Sequence, residues 1–190
     1  MNNETRVTAV VALLALSVVF LVLALFLSSC GGTTRSAQPQ HAAQGVDAPQ
    51  VVYDEEANIT FVMSPPLPIQ ERSEHEVSIA LLGAFPGHVP TQEPEQLLIV
   101  VNAGPYPFLT ENHSLQIHNL NDFSLRWNLS VQQLDNRDFY VGVIPVLFAR
   151  QLFVAPQVTG VFGGVIQFTL APAVRPIFEK LIQTLTPTNQ

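Results

Sequence analysis

The chain has 190 residues, a formal net charge of −7, eight Lys and Arg in all, and a single cysteine. With no basic cluster it offers nothing to a phosphate backbone, which argues against nucleic acid as a partner, and one cysteine cannot close an internal disulfide. Setting aside the leader and linker leaves roughly 140 residues, enough for one domain with a proper core but few for two.

From Val7 to Leu27 runs an apolar stretch without a charge. At about 20 residues it is long enough to cross a bilayer as a helix and longer than the usual core, roughly 7–15 residues, of a secretory signal. It ends in Leu27-Ser28-Ser29-Cys30-Gly31-Gly32. The four residues Leu27-Ser28-Ser29-Cys30 resemble the bacterial lipobox, the leucine-small-small-cysteine pattern that is cut before a cysteine. That resemblance implies lipidation of Cys30 and retention at a membrane through acyl chains, and it explains why the only cysteine stands where it does. Two alternatives stay open: a retained single-pass anchor, with Cys30 as a juxtamembrane palmitoylation site, and a conventional cleaved signal. Residues 1–29 are accordingly assigned to a signal peptide or membrane anchor.

Residues 30–50 change composition abruptly, to small and polar residues with two prolines. Such a segment buries too little surface to fold alone and reads as a flexible tether. Residues 51–190 are expected to form one domain.

Its dominant period is two. Ile59, Phe61 and Met63 alternate with their neighbours, and Pro65, Pro66 and Pro68 then force an edge or loop. A charged segment, Glu71 to Glu76, leads into a strand over Val77 to Leu82, which Gly83 to Pro90 is expected to break. The continuous apolar run Leu97 to Val101 suits a central strand covered on both faces. Leu115 and Ile117 form a hairpin, through Asn119 to Asp122, with the alternating stretch Phe123 to Val131, which is read as one strand with Trp127 on its buried face. Further strands are expected over Phe139 to Phe148, where Gly142 and Pro145 suggest a bulge, over Leu152 to Val154, and over a longer Val158 to Leu170. The Gly163-Gly164 pair is read as a bulge within that last core strand. Val174, Phe178, Leu181, Ile182 and Leu185 recur at helical spacing, opposite Glu179, Lys180, Gln183 and Thr184, so a single C-terminal helix over 174–185 is expected to plug the sheets. The predicted fold class is an all-β antiparallel sandwich, immunoglobulin-like or related, with that one helix.

The chemistry is sparse. Of the five histidines, His41 falls in the tether, His75 and His88 in loops, and His113 and His118 are five apart, so they face opposite sides of a strand. None joins a zinc-spaced ligand set, so neither metal nor cofactor is expected. Neither a nucleophile elbow nor a phosphate-binding glycine loop occurs. The carboxylates Asp54 to Glu56, Glu71, Glu74 and Glu76 read as solvated loops rather than acid–base pairs. Tyr106 and Phe108, in a loop stiffened by Pro105 and Pro107, are the candidate partner-contact residues. Asn58, Asn112 and Asn128 each begin an Asn-x-Ser/Thr acceptor, relevant in a eukaryotic or viral source. The sequence therefore points to a membrane-tethered, exported, non-catalytic binding or assembly component with a protein partner in the cell envelope. The runner-up is a single-pass glycoprotein with an extracellular domain on a cell or virion surface, and the third reading an exported hydrolase without a recognisable motif.

Overall fold

The computed structural model describes residues 48–72, 75–87, 94–104, 106, 109, 112–134 and 136–186, apart from the side chains of Arg72 and Leu134. The expected signal or anchor with Cys30, the tether up to residue 47, and His41, Glu74, His88 and Phe108 lie outside them. Ala43–Gln133 together with Arg137–Gln190 form one compact unit, and it is this unit that carries the fold. Of the other unit, only Leu134 and Asn136 are described.

Among the described residues eleven strands and two helices follow in order: β1 Gln50–Asp54, β2 Ile59–Met63, β3 Ile69–Arg72, β4 Val77–Pro86, β5 Gln96–Ala103, β6 Ser114–Asn119, β7 Ser124–Asn128, β8 Ser130–Leu134, β9 Arg137–Pro145, α1 Val146–Phe153, β10 Val158–Phe162, β11 Ile166–Leu170 and α2 Val174–Leu185. The first sheet runs β1-β2-β4-β5-β9-β8 and the second β3-β11-β10-β6-β7. The registered strand pairs are antiparallel. The described chain is thus mostly β, two antiparallel sheets with two helices, consistent with a sandwich-like fold. Ile79, Leu81 and Ile99 of the first sheet share one buried cluster with Leu115, Ile117 and Phe168 of the second. The first sheet buries apolar residues on its other face too, where Phe61, Leu82 and Val100 are also inaccessible but stand outside that cluster. This explains the unbroken apolar run of β5, which lies between β4 and β9.

The prolines after β2 mark a change of sheet. Ser64 still donates its N–H to the Leu81 carbonyl at 2.8 Å and Leu67 to Ile79 at 2.7 Å, and between them the Ser64 hydroxyl accepts from the Leu81 N–H at 2.9 Å. The chain then enters the second sheet as β3, where only the leading part of a charged loop was expected. The β6–β7 hairpin forms as its turn residues predict, Leu115 facing Trp127 and Ile117 facing Leu125, with Asp122 at φ 57.

Several expectations are corrected. β4 continues past Gly83 to Pro86, because Gly83 pairs with Val62 as an ordinary strand residue. Its missing side chain makes room for Leu185, whose methyl carbon would lie 2.8 Å from a Cβ there. The stretch Phe123 to Val131 is two strands in two sheets. At Leu129 the chain crosses over, donating its N–H to the His113 carbonyl at 3.0 Å, and Val131 ends up exposed. Gly142 is no bulge, since the β5–β9 register runs unbroken through Ile99 and Gly142, and the absent side chain instead admits Leu129. The expected strand over Phe139 to Phe148 ends at Pro145, and the strand over Leu152 to Val154 does not form. Both tracts supply α1, which makes two helices rather than one among the described residues. Pro145 fits the N-terminal boundary of a helix, where no intrahelical N–H is needed, and Val146, Ala149, Leu152 and Phe153 all face the core. Finally, Val158 to Leu170 is a hairpin. Gly163 and Gly164 have φ of 63 and 77, and Val165 donates its N–H back to the Phe162 carbonyl, a tight turn open to glycine pairs.

α2 has the predicted extent. It packs against β2 and α1, with the Phe178 ring 5.7 Å from that of Phe153. Ile177, Phe178, Leu181, Ile182 and Leu185 are all buried, and each such side chain contributes at most about 1.5–3 kcal/mol by transfer.

Candidate functional site

Strand register places side chains that are far apart in sequence onto one row of the second sheet. Opposite the core, Glu71 of β3 pairs with Thr169 of β11, Thr169 with Thr159 of β10, Thr159 with His118 of β6, and His118 with Ser124 of β7. The adjacent row is Gln167, Val161, Gln116 and Arg126. These residues face outward because their neighbours Leu115, Ile117, Val158, Phe162, Ile166, Phe168 and Leu170 fill the core. A groove of about 610 Å³ lies over this face, walled by Glu71 at one side and His118 at the other, with Thr159, Thr169, Gln167 and Val165 between.

One contact in the groove is tight: Thr159 Oγ1 lies 2.6 Å from His118 Nε2. A hydroxyl on an imidazole is the pairing of an activated nucleophile, but the rest of such a site is missing from the arrangement. Glu71 and His118 are three strands apart, about 14 Å at the normal inter-strand spacing, so the carboxylate cannot orient the ring. β10 is bonded to β6 on one side and β11 on the other, so its backbone N–H groups are engaged in ladders and none is aimed at a developing oxyanion. What the groove offers is a flat array of hydroxyl, carboxamide, imidazole and carboxylate groups able to donate and accept.

A second concavity, of about 410 Å³, opens beside Tyr106 and is lined by Glu76, Ser78, Asn102, Gly104 and Arg137. Tyr106 donates its hydroxyl to the Glu76 carbonyl at 3.0 Å, its ring centroid is 4.9 Å from that of His75, and it packs against the hydrophobic core. Its ring is therefore held by this chain. The other carboxylates are dispersed. Asp54 spends Oδ1 on the Ala57 N–H at 3.0 Å, capping the β1–β2 turn with Glu55 and Glu56, while its Oδ2 is buried without a partner. His113 packs its ring 5.1 Å from Tyr140, and its Nδ1 is likewise buried and unpartnered. Burial, with Asp138 nearby, raises the Tyr140 hydroxyl above its ordinary pKa. Among the described residues no group of three or more His, Cys, Asp or Glu could hold a metal ion, and no helix is long and apolar enough to cross a membrane.

The three acceptor asparagines are exposed. Asn58, at φ 51 in the β1–β2 turn, accepts from the Tyr53 hydroxyl at 2.8 Å. Asn112 is built into the fold: its Nδ2 donates to the Gly163 carbonyl at 3.1 Å, and its Oδ1 accepts from Ser114 N–H and Oγ at 3.2 and 2.8 Å. Asn128 closes the edge strand β7, opposite Ser114. The row that walls the groove was not found from sequence, because its members come from separate strands. Alternation within each strand marks the outward positions, but only the register aligns them. Comparison with protein-family models, with curated proteins and with solved structures finds no match to this chain.

Proposed function

We propose that the chain is a membrane-tethered exported protein of the bacterial lipoprotein type, held through an acylated Cys30, whose domain is a non-catalytic binding or assembly component of the cell envelope. In this reading the two sheets stack as a β-sandwich, immunoglobulin-like or related, and the partner is a protein. The observation that carries it is the outward face of the second sheet. It is polar, open and grooved, and it lacks the close acid–base pair and free backbone donors that turnover would require. The apolar run, the lipobox-like Leu27-Ser28-Ser29-Cys30 and the linker supply the tether, which raises the local concentration of the face near envelope partners.

The test has two arms on the full-length chain. Intact mass of the membrane-extracted protein should show a species beginning at Cys30 with acyl mass, lost in Cys30→Ala. A photo-crosslinker at Gln167 should give a discrete adduct in cells, while one at the exposed Arg175 of α2 should not. An unprocessed Met1 would refute lipidation, and no adduct at Gln167 would refute the binding face. A second reading is the single-pass glycoprotein, favoured by the exposure of Asn58, Asn112 and Asn128. It predicts mass added in glycan steps on an unprocessed chain.

A further inference from the structure

Helix α1 is apolar on two sides. Inward, Val146, Ala149, Leu152 and Phe153 join the core. Outward, Leu147 is 64% exposed and Phe148 38%, and Val154, at the C-cap two turns beyond Leu147 on the same stripe, is 37% exposed. Beside them the β6–β7 turn presents Leu120, 65% exposed, and Phe123, whose ring centroid is 5.8 Å from that of Phe148. Asn119 fastens the turn to the helix, its Nδ2 donating to the Gln151 carbonyl at 2.8 Å. Two elements thus hold large apolar side chains in a fixed cluster at one end of the domain, a feature that monomeric surfaces keep small unless something covers it.

The chain that carries α1 is poor in charge. From Phe139 to Phe178 there is no Asp or Glu, in a protein with fifteen, and the cations in that span are Arg150, on α1, and Arg175. Asp122, in the turn, and Glu95, whose carbonyl accepts from the Val146 N–H at 2.9 Å, border the cluster. An apolar tip carrying an arginine and edged by two acids suits a zwitterionic lipid interface better than an anionic one.

We infer that this cluster docks on the lipid surface of the membrane, with Leu120, Leu147 and Phe148 entering the boundary between headgroups and acyl chains. The inference rests on the membrane-anchored reading above. A linker of about 20 residues spans about 25 Å, so the tip stays within reach of the bilayer and weak interfacial contacts suffice. Docked this way, the domain stands on its α1 end, and the grooved face of the second sheet looks along the membrane rather than away from it.

The test uses the full-length chain in phosphatidylcholine nanodiscs holding one copy each, with retention on the discs read first and hydroxyl-radical oxidation read second by mass spectrometry. Val165, 51% exposed at the β10–β11 turn on the opposite end of the domain, is the internal reference. Relative to it, oxidation of Leu120, Leu147 and Phe148 should be suppressed several-fold, and Leu120 should become as labile as the reference in a Leu147→Asp, Phe148→Asp variant. Equal oxidation of the cluster and Val165 on retained chains overturns the inference. Protection found only in discs carrying two copies assigns the cluster to a second copy and also overturns it. Failure of the chain to stay on the discs refutes the anchorage, and the inference with it.

Discussion

Gly160→Ala tests whether the second sheet is packed as described. Gly160 pairs with Ile117 on one side and Phe168 on the other. A Cβ at this position would lie 2.7 and 2.9 Å from the two Cε atoms of the Phe168 ring and closer still to its Cζ. Phe168 is 3% exposed and belongs to the core, so the ring cannot swing into solvent. Overpacking of this kind costs about 1–3 kcal/mol, and restricting the unfolded chain returns about 0.4–1 kcal/mol, leaving a net loss of about 1–2 kcal/mol. For a domain of roughly 140 residues that lowers Tm by roughly 3–8 °C. Urea and thermal unfolding followed by the fluorescence of the only tryptophan, Trp127, measures it. Phe168→Leu is destabilising by itself, but the double variant should be more stable than the sum of the two losses implies, by at least about 0.5 kcal/mol. A Gly160→Ala protein as stable as the parent, or strictly additive losses, would refute the stacking of the ring over the glycine.

Three further outcomes are expected. Gly163→Ala should be more destabilising than Gly87→Ala in urea denaturation: both have positive φ, but a Cβ at Gly163 meets a methyl of Leu109 whereas at Gly87 it meets nothing, and the left-handed backbone alone costs about 1–2 kcal/mol. Leu185→Ala should cost about 2–5 kcal/mol, since Leu185 is fully buried against Gly83; a loss below 1 kcal/mol by calorimetry, on the order of a surface change, would mean that α2 is not docked. The raised Tyr140 hydroxyl gives a pH dependence with a definite sign. Its folded pKa lies above the ordinary value of 10.0, so its contribution is complete below that value and is lost as pH rises through the folded pKa, where the unfolded chain has released the proton and the folded chain has not. The urea midpoint should therefore fall from about pH 9 to pH 11 more steeply in the parent than in Tyr140→Phe, and equal slopes would contradict the assignment.

Local pattern was enough for α2, because its apolar stripe and its polar stripe alternate without exception from Val174 to Leu185. It was enough for β5 and for the β6–β7 hairpin, where a buried run and an Asn-rich turn have few other uses. α1 was missed although Pro145 and the 146, 149, 152, 153 spacing were present, because its outward side chains Leu147 and Phe148 erase the contrast that a helical period needs. Phe123 to Val131 misled for the opposite reason. Its alternation holds through β7, yet beyond Leu129 the chain has changed sheets, Val131 is exposed and Gln132 buried, and period two cannot report which sheet a residue serves. Gly83 and Gly142 suggested breaks because a glycine's propensity is for turns, whereas each is there for the side chain that fills its space. Of the candidate site, the polarity of each strand's outward positions was legible. The row from Glu71 to Ser124 was not, since it exists only once β3, β11, β10, β6 and β7 are in register.

The route of the chain through its two sheets bears on how it reaches its native state. It lays β1 and β2 in one sheet, β3 in the other, then returns, crosses again with β6 and β7, and returns for β8 and β9. β3 has a single neighbour, β11, the last strand to be made. The second sheet therefore cannot close around its edge until nearly the whole chain is available, and two of its four pairings, β3 with β11 and β6 with β10, span long separations, which slows folding. Under the proposed export, this delay would keep the second sheet open during passage. The second sheet gains its edge strand only with β11, and α2 then lays Leu185 over Gly83.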